Sequence, residues 1–313
     1  MSEHFILSNQ LHIPAIGMGT GWMNTAYKNP KFLVKKVGKE IVERITGRYS
    51  KENNYNASYD LRKIVKFSSS VKTSAKLGFE MFDTAFSYNN CKQMGKALRL
   101  DKNRNRYFII SKCSNYHQRN NTVLEEFEST LRDLETDYID LYLIHWPQTG
   151  CYKNTWKILE NMYEQGKVKS IGVSNFSINQ LKDLMSECKI KPMVNEIECH
   201  PMLQQKELRE FCKQHGIQLI AHTPTGKMRN LIKDSCLSDI SKKYNKSITQ
   251  VILRWHYQLG DVSIPNTLNP EHAKENLAIF DFELNDKDME NISLIDCNNR
   301  IWPDPENCDF TKL

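Results

Sequence analysis

Short apolar runs alternate along this chain with longer segments in which apolar residues recur every three or four positions. Runs of the first kind are typical of strands buried on both faces of a parallel sheet, and segments of the second kind are typical of amphipathic helices. Strands are predicted near 15–20, 79–84, 107–112, 139–145, 168–173, 193–197, 217–221 and 261–265. Helices are predicted near 65–77, 90–99, 120–134, 154–164, 177–187, 204–214 and 248–259. Eight strands alternating with helices predict an α/β fold, a closed (β/α)₈ TIM barrel.

Three further features belong to this barrel prediction. Residues 5–13 contain two short apolar runs around a polar turn, which predicts an N-terminal β-hairpin. Thr155 and Ser177 each stand before an apolar-periodic segment and are predicted helix starts. No Gly-x-Gly-x-x-Gly turn follows the early strands, which argues against a doubly wound dinucleotide fold.

Residues 24–64 interrupt the alternation after the first barrel strand. They contain no clear strand and are rich in Lys, Asn and Tyr, although 31–46 could form a basic amphipathic helix. In a barrel, an insertion at this point emerges on the rim formed by the carboxyl ends of the strands. Two interpretations stay open, surface decoration and a lid or substrate collar. We expect residues 1–313 to form a single barrel domain that carries this insertion.

Composition narrows the class of protein. A chain of 313 residues with 40% hydrophobic and 26% charged residues can bury a sizeable core, and its net charge of +6 is modest. No apolar run of about eighteen residues predicts a membrane span, and the N-terminus lacks the layout of a secretory signal. The nine cysteines form no C-x-x-C pair. We therefore expect reduced thiols, a cytoplasmic protein and no metal site.

Polar residues follow three of the apolar runs at the point where each run ends. These residues are Asp83, Lys112 and His145, and Tyr88 lies five positions after Asp83. In a closed parallel barrel the carboxyl ends of the strands converge on one rim, where such barrels place their chemistry. The sequence therefore predicts that these four side chains form one site.

Several segments, taken in order, resemble the motifs of the aldo-keto reductase family. They are 83–90, 111–112, 143–147 and 172–176, followed by a cofactor-adenosine segment at 264–276, and 302–305 resembles the tail of bacterial members. The resemblance covers residues 5–23 and 66–313. It implies NAD(P)H-dependent reduction of an aldehyde or ketone to an alcohol, with a small-molecule carbonyl substrate and a monomeric enzyme.

The resemblance assigns roles to the four rim residues, and each role has a physical reason. Hydride arriving at a carbonyl carbon leaves an oxyanion, so an acid must stand beside the oxygen. Tyr88 would be that acid, and the Lys112 cation would lower the pKa of its phenol. Asp83 would hold Lys112 by a charge-assisted hydrogen bond, and His145 would orient the carbonyl oxygen.

The resemblance also implies a cofactor cleft and a substrate pocket. Its cofactor residues are Gly19, Thr20, Asp83, Ser174, Asn175, Glu196, His222, Thr223, Pro224, Gly226, Lys227, Asn266, Thr267, His272, Glu275 and Asn276. Its substrate residues are Trp22, Tyr88, His145, Trp146 and Trp302.

The chain departs from the family pattern around the cofactor. Glu196 stands where Gln is common, and His222 stands where an aromatic residue stacks on nicotinamide. Asn266 and His272 replace a Lys and an Arg that clamp the 2′-phosphate of NADPH, and a phosphate dianion prefers fixed cations. NADP(H) is favoured on the family pattern, and NAD(H) is possible. The charge of Glu196 would favour oxidised nicotinamide and make the bound reduced cofactor a stronger hydride donor.

Two other functions compete with carbonyl reduction. One is a catalytically silent nucleotide-binding barrel that serves as a regulatory or structural subunit, which the intact set of four rim residues disfavours. The other is a nucleic-acid-binding module built on the insertion, with residues 50–59 supplying stacking. Glu40, Glu43 and Glu52 interrupt its positive charge, so no nucleic-acid partner is expected.

Overall fold

Eight parallel strands stand side by side in chain order, and helices cover their outer face. The computed structural model describes residues 3–21, 26–27, 58–59, 61–228, 230–308 and 310. The strands are β1 His4–Ile6, β2 His12–Pro14, β3 Met18–Gly19, β4 Ala26–Tyr27, β5 Ser58–Tyr59, β6 Met81–Asp83, β7 Phe108–Cys113, β8 Leu141–Ile144, β9 Ile171–Ser174, β10 Val194–Glu198, β11 Gln218–His222 and β12 Val262–Ser263.

The helices lie between the strands and after the last one. They are α1 Leu61–Leu77, α2 Cys91–Leu98, α3 Leu100–Asn103, α4 Asn115–Arg119, α5 Val123–Leu134, α6 Tyr152–Glu164, α7 Ile178–Met185, α8 Lys206–Gln214, α9 Ser235–Tyr244, α10 Ile248–Gln258, α11 Pro270–Leu277 and α12 Asp286–Ser293. Single 3₁₀ turns occupy Phe86–Tyr88, Arg104–Arg106, Gly226–Met228 and Leu231–Lys233. None of the helices in these described ranges is long and apolar enough to cross a membrane.

The sheet closes on itself, which confirms the predicted barrel. Its strands pair in the order β3, β6, β7, β8, β9, β10, β11 and β12, and every pair is parallel. The segment before β3 bonds to the last strand, since the Ser263 N–H donates to the Ala15 carbonyl (3.0 Å) and the Gly17 N–H donates to the Ser263 carbonyl (2.9 Å). At the same seam a Cβ on Gly19 would lie 2.6 Å from the Ile264 carbonyl oxygen, so glycine permits this close approach.

Two apolar layers hold the barrel together. The interior is filled by residues such as Met81, Ile110, Leu143 and Val194, and Leu7 of the N-terminal hairpin packs with them. The larger layer lies between the strands and the helices. Strands β1 and β2 pair antiparallel, which confirms the predicted hairpin.

Helix boundaries follow their capping residues. Ser177 caps α7 in a reciprocal capping box with Gln180, as predicted. The start predicted at Thr155 is wrong, because α6 begins at Tyr152 and Thr155 is buried inside its first turn. In α5 the buried face runs through Val123, while Leu124 is 50% exposed.

Most of the inserted segment lies outside the described residues. Its described parts are the start of α1 and the strands β4 and β5, which pair antiparallel in a small sheet of their own. Helix α1 begins at Leu61, whereas the sequence predicted its beginning near 65. The predicted helix at 31–46 falls outside the described residues.

Candidate active site

Alternation along the strands brings one polar side chain from each of several strands to the top of the barrel. Successive side chains of a strand point to opposite faces, so a residue two positions after an inward apolar residue also points inward. The inward apolar residue and the polar residue that follows it are Met81 and Asp83, Ile110 and Lys112, Leu143 and His145, Val194 and Glu196, and Ile220 and His222. Below this layer the barrel is apolar, so the polar groups meet at the carboxyl ends.

Lys112 is the centre of this layer. Its side chain is fully buried, and its Nζ donates to the Asp83 carboxylate and to the Thr84 carbonyl oxygen (3.2 Å). The Glu196 Oε1 lies 3.2 Å from the same Nζ. One ammonium group therefore faces two buried carboxyl groups, which the sequence did not predict for Glu196.

Lys112, Asp83 and Glu196 form a buried triad. Its charges do not balance when both carboxyl groups are ionised. Burial, together with the nearby Asp83 charge, raises the pKa of Glu196 to about 8. Burial also raises the pKa of Asp83, and Lys112 opposes that effect. The two carboxylates raise the pKa of Lys112 against the effect of burial, so Lys112 stays charged. Near neutral pH the triad therefore holds one proton on its carboxyl groups, mainly on Glu196.

Tyr88 ends the 3₁₀ turn that follows β6, and three groups surround its ring. The Lys112 Nζ lies 5.4 Å from the ring centroid, and the His145 ring stands edge-on with the centroids 5.5 Å apart. A Cβ on Gly21 would lie 3.0 Å from the Tyr88 hydroxyl, so the backbone there passes close to the phenol. Gly21 was missed by sequence reasoning, and its only signal was a glycine just after the first barrel strand.

The pKa of Tyr88 is raised overall, although the Lys112 charge acts in the predicted direction. Burial raises the pKa of the phenol, and the Asp83 and Glu196 carboxylates add to that rise, while Lys112 acts downward as expected. The lysine charge is offset because two carboxyl groups accompany it. Tyr88 is therefore a phenol, not a phenolate, at neutral pH.

His145 is a neutral side chain in this setting. Burial, with smaller effects of Lys112 and His222, lowers its pKa well below the usual value. Its Nδ1 lies 3.4 Å from the Ser87 Oγ. When the Ser87 hydroxyl donates to Nδ1, the ring proton is on Nε2 and is available as a donor. Ser87 was also missed, because a single serine beside Tyr88 has no sequence signal.

A chain of hydrogen bonds runs from the C-terminal segment to His145. The Trp302 Nε1 donates to the Thr223 Oγ1 (2.9 Å), which lies 3.2 Å from the His222 Nδ1. The His222 Nε2 lies 3.0 Å from the Asn175 Oδ1, and the Asn175 Nδ2 donates to the His145 carbonyl oxygen (3.1 Å). Burial lowers the pKa of His222 to about 3, so this ring is neutral and can accept at one nitrogen and donate at the other.

Two members of this series of hydrogen-bonded residues have left-handed backbone conformations. Asn175 has a φ of 61° and Thr223 a φ of 51°, and each directly follows a barrel strand. Such a φ is unfavourable for β-branched Thr223. Strain of this kind persists where surrounding contacts hold the residue, and it clusters at functional sites.

A second network fixes the start of the barrel next to Asp83. The Thr20 hydroxyl donates to the Asp83 carbonyl oxygen (2.7 Å), and the Asn90 Nδ2 donates to the Thr20 Oγ1 (3.1 Å). The Thr84 hydroxyl donates to the Asn90 Oδ1 (2.6 Å). Thr20 is fully buried, so its side chain positions Asp83.

Glu198 anchors the segment that carries Trp302. Its carboxylate accepts from the Ile301 N–H (2.7 Å) and the Trp302 N–H (3.0 Å), and the His200 Nε2 lies 3.1 Å away. These hydrogen bonds outweigh burial and hold the pKa of Glu198 below its usual value. The Lys227 Nζ lies 4.1 Å from the ring centroid of Trp302. Glu198 was missed, although it points inward two positions after Glu196.

The remaining predicted residues lie on the rim or under it. Trp146 is mostly buried beside His145, Trp302 is 42% exposed, and Trp22 lies outside the described residues. Pro224 and Gly226 are buried, and the Ser174 Oγ accepts from the Asn175 Nδ2 (3.1 Å).

The predicted adenosine segment surrounds the start of α11. Asn266, His272 and Glu275 are exposed, and Thr267 is half-buried. Asn276 is buried, and its Oδ1 has no hydrogen-bond partner among the described residues.

A groove of about 970 Å³ lies beside this layer, between the ends of β9 and β10, the N-termini of α7 and α8, and the C-terminal segment. Asn175, Glu198 and Arg300 line it, and Glu306 closes one side by accepting from Ser177 and Asn179.

Known proteins are similar to this chain in both sequence and fold. The model of the Aldo/keto reductase family matches residues 46–296. Glyoxal reductase of Bacillus subtilis is 44% identical over 242 residues, which are 77% of this chain and 87% of that protein. Methylglyoxal reductase DkgA of Yersinia pestis is 36% identical over 75% of this chain and 86% of that protein.

Solved structures give the same result. An aldo-keto reductase from a Medee basin deep-sea metagenome library superposes with a TM-score of 0.80 at 33% identity, over 97% of this chain and 99% of that one. An aldo-keto reductase complexed with NADPH has a TM-score of 0.80 at 28% identity, over 96% of this chain and 89% of that one. With the barrel, the buried lysine triad and these matches together, the chain belongs to the aldo/keto reductase family and is an oxidoreductase of that family's NAD(P)H-dependent type.

Proposed function

We propose that this protein reduces a small aldehyde or ketone to an alcohol, with NADPH as the favoured hydride donor and Tyr88 as the proton donor. The observation that carries the proposal is the convergence of Tyr88, Asp83, Lys112 and His145 at the top of the barrel. Reductases of glyoxal and methylglyoxal among the relatives favour small dicarbonyl compounds as substrates.

The protonation states suit this chemistry. The bound cofactor supplies hydride to the carbonyl carbon. His145, as a neutral ring, donates from Nε2 to the carbonyl oxygen and orients it. Tyr88 keeps its proton until an alkoxide develops, because its pKa is raised. Proton transfer to the alkoxide leaves a phenolate, which the adjacent Lys112 charge stabilises.

Two buried acceptors without partners support a nicotinamide dinucleotide in this cleft. They are the Glu196 Oε2 and the Asn276 Oδ1, neither of which has a partner among the described residues. Buried acceptors normally have donors. A carboxamide and an adenine both carry NH₂ donors, and the two acceptors belong to the segments expected at the nicotinamide and adenosine ends. Asn266, Thr267 and His272 would face the 2′-phosphate, with hydroxyl and imidazole donors in place of fixed cations.

The test is the consumption of NADPH with a panel that includes methylglyoxal, glyoxal and an aromatic aldehyde, each repeated with NADH. We expect turnover with NADPH, and a loss of about 10²–10⁴-fold in kcat for Tyr88→Phe without loss of cofactor binding. Tyr138→Phe is the matched control, since its hydroxyl donates to Asn105 on the exposed surface. Equal kcat values for Tyr88→Phe and the native protein would rule out Tyr88 as the acid.

The same panel tests the alternative that the sequence left open, a catalytically silent nucleotide-binding barrel. A protein that binds NADPH with micromolar affinity but turns over no carbonyl compound would be a nucleotide-binding subunit. The departures at Asn266 and His272 are the observation that favours this candidate.

A further inference from the structure

Glu196 enters the proposed function only as an acceptor for the cofactor, and its own protonation has no part there. Its side chain is 2% exposed, and its two oxygens have different surroundings. Oε1 lies 3.2 Å from the Lys112 Nζ, whereas Oε2 is buried without a hydrogen-bond donor among the described residues. A buried carboxylate oxygen without a donor is costly, and a proton on that oxygen removes the cost.

We propose that Glu196 holds a proton in the cofactor-free protein and releases it when the oxidised cofactor binds, but keeps it when the reduced cofactor binds. The inference rests on the proposed function, because it needs a nicotinamide ring near this carboxyl group.

The charged and titratable groups around Glu196 come from each neighbouring element. Strand β7 contributes Lys112, β6 contributes Asp83, and the turn after β6 contributes Tyr88. Ser174 of β9 stands opposite Glu196 in the register, and on β11 Ile220 does so, with the neutral ring of His222 two positions further on. On this list Lys112 is the only cation.

When Asp83 and Glu196 are both ionised, their two negative charges exceed the single positive charge of Lys112 by one. Asp83 accepts from Lys112 directly, and this cation opposes the rise that burial causes in the pKa of Asp83. Burial and the Asp83 charge raise the pKa of Glu196 to about 8, and a hydrogen bond from protonated Glu196 to Asp83 adds to that rise. At neutral pH the free protein therefore carries its surplus proton on Glu196.

The two redox forms of the cofactor differ by one charge on the nicotinamide ring. The oxidised ring is a cation, and in a buried site it would balance the surplus charge in place of the proton. The pKa of Glu196 would then fall, and its proton would leave to the buffer. The reduced ring is neutral and offers no such balance, so the proton stays.

A glutamine at this position could not behave in this way, because an amide does not titrate near neutral pH. The oxidised cofactor should consequently bind this protein more tightly as the pH rises from about 6 to 8, by up to about tenfold per pH unit. The 2′-phosphate also titrates near pH 6, but both redox forms carry it, so the difference between them cancels its contribution.

Isothermal titration calorimetry of the native protein tests the proposal. NADP⁺ and NADPH are each titrated at about pH 7 in phosphate and in Tris, whose ionisation enthalpies differ, and the number of protons exchanged is read from the difference in heat. We expect NADP⁺ to release more than about half a proton per site beyond the value for NADPH. In Glu196→Gln that difference should vanish.

Glu160→Gln is the matched control. Glu160 is also buried, but its carboxylate accepts from the Lys189 and Ile190 N–H groups away from the rim. This variant should exchange protons as the native protein does.

The outcomes separate this inference from the proposed function. Binding of both cofactors with equal proton numbers overturns the inference alone, and so does an unchanged difference in Glu196→Gln. Failure to bind either cofactor overturns the proposed function and the inference together. The comparison of NADP⁺ with NADPH on the native protein decides the question even if a variant does not fold.

Discussion

The carboxylate of Glu198 accepts the backbone N–H of Trp302 at 3.0 Å, so a barrel strand holds the C-terminal segment over the rim. The same segment reaches His145 through Thr223, His222 and Asn175. Hydrogen bonds therefore connect Glu198 at the end of β10, Trp302 in the C-terminal segment and the active-site residue His145.

Replacing Glu198 by Gln should loosen this tail. An amide has one accepting oxygen, so one of the two N–H groups at 301 and 302 loses its acceptor, at a cost of about 1.5–3 kcal/mol. We expect faster proteolysis near residue 301 and a KM for the carbonyl compound raised several-fold, with little change in NADPH affinity. Limited proteolysis and steady-state kinetics measure both effects. Glu290→Gln, on an exposed ion pair with Lys287, is the control, and identical proteolysis of the two variants would contradict the anchoring role.

Replacement of His145 should separate hydrogen bonding from charge. Because the pKa of His145 is held well below its usual value, the native ring acts as a neutral donor. His145→Gln keeps a neutral N–H donor, whereas His145→Ala removes it. Loss of one preorganised donor costs about 10²–10³-fold in kcat. We expect the Ala variant to lose that much in kcat and the Gln variant clearly less. Equal losses in both variants would mean that the imidazolium charge matters.

The stability of the cofactor-free protein should fall with pH above neutrality because of Glu196. Its folded-state pKa is about 8, above the ordinary value of a glutamic acid, so the folded state binds the extra proton. This stabilisation is complete below the unfolded-state pKa and is lost as the pH rises through the folded-state pKa. The loss is at most about 1.4 kcal/mol per pH unit.

Urea unfolding at about pH 7 and 8.5 checks this sign. His145 and His222 have lowered pKa values, so their effect on stability is complete by pH 7 and does not contribute above it. We expect the free energy of unfolding to fall between these two pH values more in the native protein than in Glu196→Gln. A parallel decline in both proteins would assign it to other groups, such as the buried cysteines.

Cofactor preference should respond to fixed cations near α11. Asn266 and His272 are exposed at the segment predicted to face the 2′-phosphate. Asn266→Lys and His272→Arg each add a charge-assisted contact to a phosphate, and such contacts contribute about 1.5–3 kcal/mol. We expect a Kd for NADPH at least tenfold lower in the double variant and an unchanged Kd for NADH. Fluorescence titration measures both constants, and tighter binding of NADH to the same extent would place the new cations elsewhere in the cleft.

The barrel was predictable because its signal is local. Runs that are apolar at nearly every position, such as the one ending at Lys112, have the composition of strands buried on both faces. Helices α9 and α12 were missed because each buries only two residues, and long polar stretches hide their period. They are helical because they pack with α10 in one apolar cluster that includes Leu237, Trp255 and Ile292.

The amino-acid sequence by itself determined the closed barrel and the arrival of Asp83, Lys112 and His145 at one rim, because strand alternation and chain order are local properties. Only the tertiary structure decided that Glu196 shares Lys112 with Asp83, that the pKa of Tyr88 rises instead of falling, and that Glu198 holds Trp302. Those facts depend on distances between residues far apart in the chain and on burial. No local pattern records either quantity, and the balance of charges in a buried site follows from both.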